Sequence, residues 1–73
     1  MQNILVRAIE QQQLVQIIYL DANQKITQRI VRPYEINEKH LKGFCFLRKQ
    51  VRLFKLDDIL AVSPLRQTNK RLG

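Results

Sequence analysis

The sequence predicts a mainly β fold, with one short N-terminal helix followed by five strands curled into a partly open barrel. Three observations point there. After residue 13 the hydrophobic period changes from helical to short runs rich in β-branched and aromatic residues, separated by polar turns. Five such runs in 73 residues leave two sheet edges, which curling conceals. Finally, 43-GFCFLRKQVRLFKLDDI-59 sets Phe44, Phe46 and Phe54 among Arg48, Lys49, Arg52 and Lys55, so both parities look apolar. In a small curled sheet one face fills the interior and the helix covers part of the other. The cations then collect at the rims.

The elements follow in order. Asn3 is placed to cap the helix, with Ile4, Leu5, Ala8 and Ile9 at helical spacing and Gln11–Gln13 closing it. The first strand is 14-LVQIIYL-20. Asp21-Ala-Asn-Gln24 reads as a tight turn into 25-KITQRIVRPYEI-36, where Ile26, Ile30, Tyr34 and Ile36 share a parity with Gln28 and Arg32. Pro33 has no amide to give to a ladder and marks an edge, a bulge or a sharp bend. Asn37-Glu38 turns the chain into 39-KHLKGFCFL-47, bent at Gly43. Arg48-Lys49-Gln50 is a short hairpin connection to 51-VRLFKL-56. A turn at Asp57-Asp58 leads to the last strand, 59-ILAVSPL-65, and then to a basic, frayed tail over 66–73. No linker or repeat interrupts this order, so residues 1–73 read as a single domain.

Composition narrows the function. With 45% hydrophobic and 26% charged residues the chain is globular, and its length keeps the core small. No apolar run approaches the ~20 residues of a membrane span, and no signal-peptide cleavage site follows the N-terminus. The expectation is a cytoplasmic protein with no membrane partner. Cys45 is the sole cysteine and His40 the sole histidine, which excludes an internal disulfide and a zinc cluster built from one chain; no cofactor is expected. Cys45, between two phenylalanines, reads as a small buried hydrophobe. No nucleophile motif is present, Asp57-Asp58 shapes a turn, and two glycines cannot make a phosphate loop, so the chain reads as a non-enzyme. The net charge of +7 is one-sided. Residues 1–37 hold four cations against three acids, a net +1, while 38–73 hold nine against three, a net +6. Such a domain attracts polyanions.

Three pieces of sequence occur in an informative order: Tyr19 after 15-VQII-18, then 29-RIVRPYEI-36, then 41-LKGFCFLRKQVRLFKLDDI-59. Together they resemble the WYL domain of bacterial transcriptional regulators and CRISPR-associated proteins, from Ile4 to about Val62. The last piece is the most specific. The Trp-Tyr-Leu that names the family falls here on Lys39-His40-Leu41, and the two arginines of its Arg-Leu-Asp-Arg-Ile on Lys55 and Asp58. The resemblance implies an Sm- or SH3-like barrel and a sensing or binding role in transcriptional regulation. It implies a ligand that in some members is single-stranded nucleic acid. The family's usual helix-turn-helix has no room in these 73 residues, so the chain reads as a stand-alone domain, a fragment or a small partner.

Six residues are candidates for the site. Arg29 and Arg52 match the family's recurrent arginines, and a guanidinium on a strand presents a rigid fork to phosphate or carboxylate. The alternative is that each pairs with an acid such as Glu35 or Asp57 and only stabilises the barrel. Arg48, with Lys49, sits at a hairpin tip, and Lys55 keeps the charge without the planar fork. Tyr19 and His40 could stack on bases, or Tyr19 could pack with its hydroxyl at the rim. The expected ligand is single-stranded nucleic acid or a nucleotide-like anion. The second reading is a protein-interaction module, in which an exposed strand edge accepts a partner's strand or another copy of the chain.

Overall fold

The computed structural model describes residues 2–65; the expected frayed tail over 66–73 lies outside them. Helix α1 (Gln2–Gln11) precedes β1 (Val15–Leu20), β2 (Ile26–Ile36), β3 (His40–Cys45), β4 (Gln50–Lys55), a 3-10 turn over Leu56–Asp58, and β5 (Ile59–Pro64). The strands form one antiparallel sheet in the order β4-β3-β2-β1-β5. This is the expected mainly β order. The sheet does not close into a barrel, and β4 and β5 remain its edges.

Burial explains the helix. Leu5 and Ala8 enter the core, with Ile4 packed against it, while Val6 and Arg7 face outward. Asn3 is not a cap. The helix already includes Gln2, because Ile4 and Leu5 reach the core from its first turn. At the other end Gln12 takes a left-handed φ of 56°. Its N–H donates to Ile9 O at 3.3 Å, and the Gln13 N–H donates to Ala8 O at 2.9 Å. That is the Schellman closure, made here without glycine.

Two side chains set two turns in the same way. Asp21 Oδ1 accepts from the Asn23 and Lys25 amides, and Gln24 takes φ 65°. Asn37 Oδ1 accepts from the Lys39 and His40 amides. Each closes a hairpin by binding its own following backbone. The third hairpin differs from the sequence expectation. β3 ends at Cys45, so Phe46 and Leu47 belong to the turn with Arg48 and Lys49, and β4 starts at Gln50. The Lys49 N–H, at φ 58°, returns to Cys45 O at 2.7 Å and fixes that earlier end.

The shape of the sheet comes from β2. Residues 26–31 pair with β1, whereas residues 31–36 pair with β3. The register slips between Pro33 and Glu35, a bulge that bends the strand. Pro33 is tolerated in a central strand because it lies beyond the end of the β1 ladder and needs no amide on that side. Opposite it, Gly43 permits close approach. A Cβ there would sit 2.7 Å from Arg32 O and 2.8 Å from Val31 Cγ1.

The core joins Leu5 and Ala8 to Val15, Ile17, Val31, Leu41, Cys45, Phe54 and Ile59. In β2 the inward parity is Thr27, Arg29, Val31 and Pro33, so Ile26, Ile30 and Tyr34 point outward with Gln28 and Arg32. The bulge returns Ile36 to the inner side. The expectation that α1 covers part of the outer face is corrected. The helix packs mainly against β2 and β5, and Phe46, Val51 and Leu53 stay exposed.

Gly43→Ala should destabilise the domain by about 1–3 kcal/mol, the range for overpacking against a backbone that cannot move away. Urea unfolding measures this, and an unchanged midpoint would refute the close approach as a constraint.

Candidate anion-binding cleft

Tyr19 is the last inward-facing residue of β1. Its ring meets Phe54 of β4 edge-on, with centroids 5.1 Å apart and planes at 85°. The Lys55 N–H donates to its hydroxyl oxygen at 3.2 Å. β1 and β4 are not neighbours in the sheet, so this contact joins the curled sheet across its interior.

Arg29 stands beside it, only 7% exposed. Its Nε donates to Thr27 Oγ1 at 3.3 Å, its Nη1 lies 3.9 Å from Cys45 Sγ, and its Cζ lies 5.9 Å from the Tyr19 ring centroid. Thr27 is held in turn, donating its hydroxyl to Tyr19 O at 3.1 Å. None of these partners is charged. Among the described residues no carboxylate hydrogen-bonds this guanidinium. Glu35 is registered with Lys42 on the other side of the bulge, so it does not provide the internal pairing that the sequence left open. Burying a charge without a counter-ion costs several kcal/mol after relaxation.

A cleft of about 210 Å³ opens over this group, lined by Arg29, Arg48, Arg52, Tyr19 and Phe54, with the Asp21–Asn23 turn at one side. Arg52 shares the inward parity of Phe54 and is registered with Gly43, where β2 packs closely against β3. Arg48 enters from the exposed turn after β3. Asp21 is the one acid of the lining, and its Oδ1 is already occupied by two backbone amides. Three guanidinium groups thus meet one carboxylate, and the cleft favours anions. A second hollow of similar volume, between α1 and Pro64, holds Arg7 as its only charge and has no comparable field.

Of the six candidates, the structure brings Tyr19, Arg29, Arg48 and Arg52 to this cleft. It sets His40 and Lys55 elsewhere, opposite each other at the far end of the β3–β4 hairpin. Lys55 touches the site through its backbone amide alone, while its side chain is exposed. Two contributors escaped the sequence reading. Thr27, which holds Arg29, is signalled by its i, i+2 spacing on one strand face. The Asp21–Asn23 turn gives no such signal, because only the curl carries it to the arginines. No group of three or more metal-ligating side chains occurs among the described residues. No helix among them is long and apolar enough to cross a membrane.

The model of the WYL domain matches residues 2–64. The chain belongs to the WYL domain family. Among solved structures it is similar to proteasome accessory factor B/C (PafBC) of Arthrobacter aurescens, with a TM-score of 0.70 and 23% identity. That match covers 82% of this chain and 10% of the PafBC chain, so the likeness is one of fold over a small part of a much longer protein. A search of curated proteins finds no match.

Arg29→Met keeps an unbranched apolar stem and removes the uncompensated charge. Stability should be unchanged or higher by about 1–2 kcal/mol, as when buried ionic groups give way to apolar ones. Thermal unfolding checks this. A clear loss of stability would show that Arg29 is held by the fold for the fold's sake.

Proposed function

We propose that this WYL domain is a non-catalytic regulatory module whose cleft takes up an anionic ligand: single-stranded nucleic acid or a nucleotide-like molecule. The observation that carries the proposal is Arg29, a nearly buried guanidinium with no carboxylate partner among the described residues, opening onto two further arginines. An arrangement that destabilises the empty domain is accounted for by a ligand that completes it. A phosphate does so directly, since guanidinium forks match its oxygens. Membership of the WYL family, whose members act in transcriptional regulators, supports placing that binding in the control of transcription.

The size of the cleft favours one end of this range. At about 210 Å³ it is smaller than the roughly 300–1,000 Å³ that encloses a whole small ligand. It grips one charged unit, and the rest of the ligand lies outside. A strand of nucleic acid satisfies that better than an isolated nucleotide. The ring of Tyr19 lines the cleft with its hydroxyl occupied by Lys55 N–H, so it offers a base or sugar an apolar surface.

Titration with a labelled single-stranded oligonucleotide at several salt concentrations tests this. Each phosphate neutralised on a single strand contributes about −0.7 to the slope of log K against log salt, so a cleft that grips one phosphate gives a slope of at least about −0.7 in magnitude. Arg52→Ala should leave stability within roughly 1 kcal/mol, cost about 1.5–3 kcal/mol of binding, and make the salt slope shallower. No binding at low salt would end the nucleic-acid proposal. A destabilised Arg52→Ala that still binds fully would remove Arg52 from the site.

A further inference from the structure

The outer side of β2, β3 and β4 carries an apolar surface that the helix leaves open. Ile30 is 38% exposed, Phe46 45%, Val51 47% and Leu53 63%. Phe44 lies among them half-buried, edge-on to Phe46 with centroids 5.1 Å apart. The register makes these residues neighbours. Arg32, Phe44 and Val51 form one row across the three strands, and Glu35, Lys42 and Leu53 form the next. His40 and Lys55 follow, while the Phe46 N–H donates to Ile30 O at the opposite end. Alternation along each strand puts this surface on the side away from Arg29 and Arg52. It is an apolar centre with Arg32, Lys42 and Lys55 around it, and Glu35 is the one carboxylate of these rows.

A sheet face of this composition is normally covered by another layer. The charge of the rim limits what the cover is. A second copy meeting it face to face would bring like charges together, which costs stability rather than adding to it. Residues 66–73, Arg-Gln-Thr-Asn-Lys-Arg-Leu-Gly, hold three cations and one leucine, so their charge also matches poorly. Aliphatic Ile30, Val51 and Leu53 give this face a surface on which bases do not stack, which favours protein over nucleic acid. Three strands about 4.8 Å apart present a width near 10 Å, the diameter of one helix with its side chains.

We propose that this face is a protein-docking surface, and that its occupant is an acidic amphipathic helix of a partner, with apolar residues on Val51, Leu53 and Phe46 and carboxylates toward Arg32 and Lys55. Apart from Leu53, which borders both, the surface lies on the opposite side from the arginine cleft, so one domain can hold an anion on its inner side and a partner on its outer side.

The probe is a labelled synthetic helix with leucines along one face and glutamates on the other, followed by fluorescence anisotropy at low salt. A lysine–leucine counterpart serves as its control. The acidic peptide should bind and the basic one should not. Because Leu53 also borders the cleft, the test variant leaves it in place and combines Phe46→Ser with Val51→Thr; Val51→Thr alone is the milder form should the pair fail to fold. Either should weaken the acidic peptide at least tenfold for the pair, and severalfold for the single variant, with oligonucleotide binding unchanged. Arg52→Ala should do the reverse. The proposal is overturned by absence of acidic-peptide binding, or by its loss in Arg52→Ala, which would place the peptide in the cleft. It is also overturned if the Phe46/Val51 variant loses oligonucleotide binding. A homodimer on sedimentation that Val51→Thr dissociates would overturn it too, since a second copy would then be the cover.

Discussion

β2 is eleven residues long and serves two masters: its first half belongs to the β1 ladder and its second half to β3. The bulge between Pro33 and Glu35 turns one half against the other, and almost everything else follows from that bend. It carries β4 around until Phe54 meets Tyr19, two strands that share no hydrogen-bonded ladder. It needs Gly43, because a side chain there would strike β2 where the two strands approach. The five strands form one sheet, and wrapping it around Leu41, Val31 and Ile17 gives the described residues an interior.

The same bend decides the electrostatics. Arg29 points inward because its parity is that of Val31, and the residues that close over it are Tyr19, Cys45 and Thr27. Each of these can touch a guanidinium, and none can neutralise one. A cation–π contact contributes on the order of 0.5–2 kcal/mol, short of the several kcal/mol that desolvating a charge costs. The imbalance is local and directional, with the uncompensated group opening onto Arg48 and Arg52. A structural role would set an acid beside it. Arginines gathered without one among the described residues are what the proposed anion site rests on.

Curling also separates the two faces of β4. Arg52 and Phe54 turn toward the interior, while Val51, Leu53 and Lys55 turn out. The alternation of apolar and basic residues along 50–55 is therefore two patterns interleaved. One belongs to an anion cleft, the other to an apolar surface with a basic rim. A helix lying across the outer face would have buried the second pattern. α1 instead packs mainly against β2 and β5 and leaves the β3–β4 side free.

By itself the sequence determined the element order, the first two hairpin turns and the family. These rest on local chemistry: β-branched runs that suit strands, Asp21 and Asn37 side chains that bind their own following amides, and a spaced motif over 41–59 that occurs as a contiguous piece. It also placed Arg52 on the face of Phe54, since period-two alternation needs no tertiary information. Local rules misjudged the strand end at Cys45 and the Asn3 cap, where a returning Lys49 amide and the burial of Leu5 prevail. Only the tertiary structure decided which parity of β2 faces in. The isoleucines made the outer parity look like the core, yet Val31 and Pro33 fill the interior and carry Arg29 in with them. Only the curl decided that Tyr19, Arg29, Arg48 and Arg52 share a cleft while His40 and Lys55 stand apart. The reason is geometric: residues from three strands and a turn become neighbours through a bend set by the bulge after Pro33 and the close approach at Gly43, and strand pairing, not local sequence, brings those two together.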